Sequence, residues 1–302
     1  MKKIKALSWD QEFKDYVEKS SNYERIGSVH SVFDKVFNIE KDAQTLYTVS
    51  NHQIDGGPYT LKTQNYEPFK KRIKDGTAVF KKNDSLRIGT LEITLADPQI
   101  KSFEIKEVKD YSKETIRNNI QLFNTLIKEE GNPGGCLYYY EEVILGLERK
   151  GSLMERELMK RIQNFQTAIE KNQLTEKEVN ALIGFGMGLT PSGDDFLTAF
   201  MTSLSLFSEN ETLLDKVKDF IQPFLSNTTR VSASMLEVAI EGKAREYLMT
   251  FTQAFLKDDD ESFKKALEDL LTIGSSSGTD MSVGIILAFE FFLKDQKNRR
   301  SN

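Results

Sequence analysis

The sequence predicts an α+β protein, with a small N-terminal mainly-β domain over residues 1–109 and a larger α-helical domain over residues 110–302. Three observations predict it. From about residue 26 to residue 105 the apolar residues fall in short runs broken by turn signals. From about residue 109 they recur at helical spacing instead. The charge also changes sign: the first part is mildly basic and the second acidic, within a net charge of −5. A length of 302 residues fits two such units.

In the first part the runs are VHSVFDKVFNI (29–39), TLYTV (45–49), GPYTLKT (57–63), TAVF (77–80) and GTLEITL (89–95). Between them stand Asp55-Gly56-Gly57, Asp75-Gly76 and Asn83-Asp84, residue types that favour positive φ or turns closed by their own side chains. Leu91, Ile93 and Leu95 alternate with Glu92 and Thr94, the pattern of a strand with one buried face. In the second part Ile116, Ile120, Leu122, Phe123 and Ile127 are read on one helix face, and that helix stops before Gly131-Asn132-Pro133-Gly134-Gly135. Further helices are expected near 152–172, 175–183, 191–207, 211–225, 228–240, 243–256, 259–272 and 279–293. Thr175 with Glu178 forms a capping box. The acidic run 258–261 suits a helix start, where the dipole favours negative charge. Met281–Leu293 is the most apolar window, but Ser282, Gly284 and Glu290 interrupt it, so it reads as a buried helix and not a membrane span.

Composition excludes several chemistries. A single Cys136 rules out a disulfide framework and a cysteine zinc cluster, and two histidines, His30 and His52, rule out a multi-histidine metal site. No long basic run suggests a nucleic-acid surface. The start, MKKIKALSWDQEF, has too short an apolar stretch for a signal peptide, so a cytoplasmic protein working with small molecules is expected. The P-loop and G-x-S-x-G signatures are missing, and Gly184-x-Gly186-x-Gly188 is not a dinucleotide fingerprint. Cys136 and the Tyr138-Tyr139-Tyr140 run read as buried packing or interface.

Three stretches carry candidate chemistry. The first is GFGMGLTPSGDD (184–195), ahead of an apolar helix. Its glycines point to positive φ or a close approach of backbone. Thr190 reads as N-cap and Pro191 as the first helical residue, while Ser192 and Gly193 leave the first turn bare, so that backbone N–H groups stay open to an anion. Asp194 and Asp195 would repel that anion unless they face away, cap the helix, or hold a cation or an N–H-bearing group. The second stretch, GSSSGTD (274–280), repeats the Ser-Gly-x-Asp pattern of 192–195 at 277–280, again before an apolar helix. Two such starts could converge on one ligand. The third is Asn227-Thr228-Thr229-Arg230, in which Thr228 or Thr229 caps a helix. Arg230 there opposes the dipole, which is explained either by a bidentate pair with a carboxylate or phosphate, or by a nearby surface acid.

GFGMGLTPSGDDFLTAF (184–200), TTRVSASMLEVAIEG (228–242) and GSSSGTD (274–280), with VHSVFDKVFNI and GPYTLK, resemble the AllH-like family, typified by a subunit of bacterial oxamate carbamoyltransferase. Ser275 departs from the histidine frequent in that family. The resemblance implies a component of a carbamoyltransferase acting on a ureide such as oxalurate, transferring the carbamoyl group to or from phosphate. An FdrA-like subunit and a second, larger one would be its partners. Joined to the resemblance, the motifs suggest Asp194, Asp195, Arg230 and Asp280 as catalytic residues. Gly186, Gly188, Thr190, Ser192, Gly193, Thr228, Thr229, Ser276, Ser277, Gly278 and His30 would bind substrate. No cofactor is expected, Mg2+ on Asp194 and Asp195 being the alternative. The rival readings are a non-catalytic ligand-sensing or scaffold subunit, and a Mg2+-dependent phosphotransfer enzyme.

Overall fold

A computed structural model describes residues 1–41 and 45–301, with side chains described up to residue 294. The chain divides into two units. The first comprises Met1–Glu104 with Ala244–Glu246, and the second Ile105–Lys243 with Tyr247–Asn302.

The first unit is a closed antiparallel-rich β-barrel. Its strands are β1 (Lys2–Asp10), β2 (Arg25–Val32), β3 (Val36–Glu40), β4 (Leu46–Asn51), β5 (Thr60–Gln64), β6 (Ala78–Lys82), β7 (Ser85–Ile88), β8 (Leu91–Thr94) and β9 (Gln99–Lys101). They run in the order β5-β4-β3-β2-β6-β7-β8-β1-β9, and β1 closes the ring by pairing antiparallel with β5. One long strand can do this because its first half pairs with β8 and its second half with β9 on the same side. Closure removes the open edges that a flat sheet would expose. Ile4, Ala6, Val29, Phe37, Ile39, Val49, Leu61, Val79, Leu86 and Ile93 fill the interior, joined by Phe13, Tyr16 and Val17 of helix α1 (Gln11–Glu18). Asp10 caps that helix, accepting from the Phe13 amide.

The structure adds detail that the pattern did not give. VHSVFDKVFNI is not one run but a hairpin, β2 and β3, folded at Asp34-Lys35. Gly76 and Asn83 take positive φ as expected, whereas Gly56 and Gly57 do not. Gly56 is there instead because the Phe103 ring lies where a Cβ would stand.

The second unit is helical. Its helices are α2 (Lys113–Glu130), α3 (Cys136–Tyr139), α4 (Leu153–Glu170), α5 (Glu176–Asn180), α6 (Ser192–Leu204), α7 (Glu211–Ile221), α8 (Arg230–Ile240), α9 (Glu246–Ala254), α10 (Asp260–Leu271) and α11 (Ser277–Ser301). Tyr140–Ile144 continues α3 as a π-helical turn. Ser152 with Glu155 and Thr175 with Glu178 form capping boxes, and Asp259 caps α10. Every residue of α6 is buried, and α6 against α11 is the most extensive contact between elements. These two helices are the axis of the unit. Phe165 packs edge to face on Phe196 and Phe200 of α6, while Phe207 stacks on Phe292 and Phe255 on Phe289 of α11.

Candidate functional site

The two Ser-Gly-x-Asp stretches meet. Thr190 Oγ1 lies 3.0 Å from Ser277 Oγ, so the loop ahead of α6 touches the start of α11. Gly284 of α11 rests against the Phe196 backbone and the Ala199 side chain of α6. The helices therefore begin together and run side by side.

Both starts are built alike. The Gly193 amide donates to Phe185 O at 2.9 Å, and the Gly278 amide to Ile273 O at 3.0 Å. A Cβ on Gly193 would collide with Leu182 O, and one on Gly278 with Leu270 O. Glycine thus lets each helix start press onto the end of the segment before it. The same packing corrects an expectation, since the Gly193 and Gly278 amides are already bonded and are not left open to an anion. Helix α6 also begins one residue later than expected. Pro191 occupies the cap position, and Thr190 turns to Ser277 instead of capping. Gly184, Gly186 and Gly188 all take positive φ, at 70°, 136° and 93°.

The adjacent aspartates have opposite surroundings. Asp194 accepts from the Gly184 amide at 2.9 Å, from Thr228 Oγ1 at 2.5 Å and from Ser232 Oγ at 2.7 Å. It braces the loop against the start of α8, with every donor an uncharged group of the protein itself. Burial nonetheless pushes its carboxyl above the usual range, against the pull of those three donors. Thr229 caps α8, accepting from the Ser232 amide at 3.1 Å, and its hydroxyl donates to Leu189 O. Thr228 and Thr229 are thereby committed to holding the loops.

Asp195 is 1% exposed, and both of its carboxylate oxygens lack a hydrogen-bond partner. The hydroxyls of Ser277 and Thr190 stand beside it without completing a bond. Burial, then the neighbouring Asp280 charge, push its carboxyl well above the usual carboxylate range. Asp280 is likewise 1% exposed. Its Oδ1 accepts from the Cys136 amide at 2.6 Å, and its Oδ2 has no partner. Burial raises its carboxyl too, offset by the Cys136 amide and by Ser192, the Cys136 thiol and Ser276 alongside. Gly135 is required here, because a Cβ would fall on Asp280 Oδ1. The Cys136 thiol is fully buried, and burial followed by the Asp280 charge pushes it well above its ordinary value. It stays protonated and is no nucleophile.

Arg230 opens α8. Its Nη1 lies 3.5 Å from Glu237 Oε2, while Nε and Nη2 are buried without a partner. The nearby-acid reading is thus satisfied at one nitrogen only, and the side-on edge of the guanidinium is unfilled. A buried guanidinium edge costs free energy until an acceptor fills it.

Of the predicted residues, the second unit brings together Thr190, Ser192, Gly193, Asp194, Asp195, Thr228, Thr229, Ser276, Ser277, Gly278 and Asp280 through the contacts above. Gly188 lies on the exposed rim with Met187 and Leu189, and Gly186 packs against the Ser192 amide. His30 belongs to the first unit, on β2, with its Nδ1 3.2 Å from Ser31 Oγ. Both oxygens of Asp194 already accept from donors of the protein. Among the described residues no group of three or more His, Cys, Asp or Glu side chains is arranged to hold a metal ion. Sequence reasoning missed Gly135 and the Cys136 amide; the signal was the glycine pair after Pro133. It also missed Arg161, whose guanidinium lies 3.8 Å over the Phe185 ring and bonds Ala181 O, holding the loop from outside.

A family model described as oxamate carbamoyltransferase subunit AllH matches residues 182–289, which hold all three loop motifs. A second, described as the AllH family N-terminal domain, matches residues 5–100, the barrel. No solved structure matches the chain. Among the described residues no helix is long and apolar enough to cross a membrane.

Proposed function

The chain belongs to the AllH family, and on that premise we propose that it is a subunit of a carbamoyltransferase complex acting on a ureide such as oxalurate, with the carbamoyl group passed to or from phosphate. One observation carries the chemical part of this reading. The Nε and Nη2 edge of Arg230 is buried and unpartnered, and that edge is the one that takes a carboxylate or phosphate by two parallel hydrogen bonds. Ureide acids and carbamoyl phosphate each carry such a group.

In this reading Arg230 orients the anionic end and offsets charge that develops as the carbamoyl carbon changes partner. Hydroxyls of Thr190, Ser276 and Ser277 at the joined helix starts supply further donors. Asp194 acts as a positioning residue, because through Thr228 and Ser232 it fixes the helix start that carries Arg230. With the Cys136 thiol held protonated, transfer is direct: an oxygen of hydrogen phosphate bonds to the carbamoyl carbon as the carbon–nitrogen bond of the ureide breaks, the phosphate's proton passes to the leaving nitrogen, and positioning supplies much of the rate. Other subunits, an FdrA-like one and a larger one, complete the catalyst.

Calorimetric or thermal-shift titration of the full chain with carbamoyl phosphate, oxalurate, oxamate and phosphate tests this. A saturable shift that Arg230→Ala abolishes and Arg230→Lys only weakens is the expected result. If no ligand shifts the chain while a partner subunit does, the substrate site is not in this chain and the scaffold reading takes its place.

A further inference from the structure

We propose that a single monovalent cation binds between Asp195 and Asp280, where helices α6 and α11 begin side by side. The proposal stands independently of the carbamoyl-transfer reading, because it rests on the construction of the two helix starts.

That construction is two-fold. Ser192-Gly193-Asp194-Asp195 and Ser277-Gly278-Thr279-Asp280 each begin a helix, each with its glycine amide bonded to the carbonyl three residues beyond the leucine that the glycine presses on. The aspartates then cross over. Asp195 stands beside Ser277, which starts the other helix, and Asp280 stands beside Ser192. The place between them is common to both halves. Three carboxylate oxygens are left there without a donor, Asp195 Oδ1 and Oδ2 and Asp280 Oδ2, on side chains that are 1% exposed. Buried carboxylate oxygens without donors are costly, and native proteins satisfy them with a proton, a donor or a cation.

Dehydration selects among cations. The ligand atoms are carboxylate and hydroxyl oxygens, which suit hard cations. Mg2+ sheds water reluctantly and keeps several waters in its sites, but these oxygens have almost no accessible surface and the surrounding groups are protein. Na+ or K+, which lose water more readily, fits the closed cradle. Bound there, the ion ties the two helix starts together and with them the loop that Asp194 braces.

The test uses the full chain in a choline chloride buffer at pH 8, free of alkali metal and magnesium. KCl, NaCl or MgCl2 is exchanged for choline chloride at constant ionic strength while the melting temperature is followed. A saturable rise with K+ or Na+ is expected. It should be absent in Asp195→Asn and Asp280→Asn and retained in Ser275→Ala, an exposed neighbour outside the cradle. If either aspartate variant fails to fold, Ser277→Ala serves in its place and should raise the half-saturating concentration several-fold. Identical melting in choline and in both alkali salts overturns the proposal and leaves a shared proton between the carboxyls. A rise with Mg2+ alone, or one that survives in Asp195→Asn or is unmoved by Ser277→Ala, overturns it as well.

Discussion

In the barrel unit the buried carboxylates are furnished with partners. Asp55 is held by Arg245 through two bonds of 3.0 and 2.5 Å, and Asp10 accepts from the amides of Phe13 and Tyr59. In the helical unit Asp195, Asp280 and Arg230 all keep buried atoms without a completed hydrogen bond. The cost of burying a charge is alike in both units, so the difference lies in what offsets it. The barrel closes its charges on itself and gains fixed geometry. The helical unit leaves acceptors at the joined helix starts and a donor edge at the start of α8, which is where a ligand would complete the structure.

The comparison breaks most sharply at Asp55. Arg245 comes from the segment Ala244–Glu246, which belongs with the barrel despite its distance in sequence. Asp55→Ala leaves that guanidinium without its carboxylate and should cost about 3–5 kcal/mol, read from the urea midpoint. No such loss is expected on Arg230→Ala, because its missing acceptor is already missing. Equal losses from the two variants would mean that Arg230 is satisfied by the protein and awaits no ligand. Next in size are Gly193→Ala and Gly278→Ala. Each drives a methyl group into a carbonyl, Leu182 O or Leu270 O, and each should cost roughly 2–3 kcal/mol in chemical unfolding. Similar values for the two would support the likeness of the two helix starts, while a silent substitution at either would break it.

How much of this is legible in the sequence follows from what each residue has to do locally. The helices announce themselves through spacing and caps, as at Thr175 with Glu178, because those interactions span only three or four residues. Strand β1 does not. Its inward residues, Ile4, Ala6 and Ser8, are mostly small, and Lys3, Lys5 and Leu7 face outward, so the alternation is present but its apolar signal is weak. It is a strand because β5, β8 and β9 all pair with it, a condition met only in three dimensions. Three-residue β9 depends on β1 in the same way. At the site, the clustering of Gly, Ser and Asp in 184–195 and 274–280 is visible, and so is the shared Ser-Gly-x-Asp pattern. That the two stretches touch is tertiary information. So is the division of labour between Asp194 and Asp195, since one step along a helix turns a side chain by about 100° and sends the neighbours to different surroundings.

Those neighbours supply the finest test of the comparison. Asp194→Asn replaces an acceptor that three donors use, and it should cost about 1–2 kcal/mol at pH 5 and less as pH rises through the raised value of the Asp194 carboxyl. Asp195→Asn removes a carboxylate that completes no hydrogen bond. Its carboxyl is held well above the usual range by burial and by Asp280, so the folded chain keeps a proton there that the unfolded chain has already lost. Such a group contributes its stability below the ordinary aspartate value of about 4 and loses it as pH rises through the raised value. In alkali-free buffer the asparagine variant should therefore gain on the parent as pH rises from 5 to 8 and be the more stable of the two at pH 8. Urea midpoints for both variants at the two pH values measure this directly. If Asp195→Asn destabilises the chain as Asp194→Asn does, and equally at both pH values, then Asp195 is a satisfied structural acceptor, and the contrast between a closed barrel and an open helical site fails at its centre.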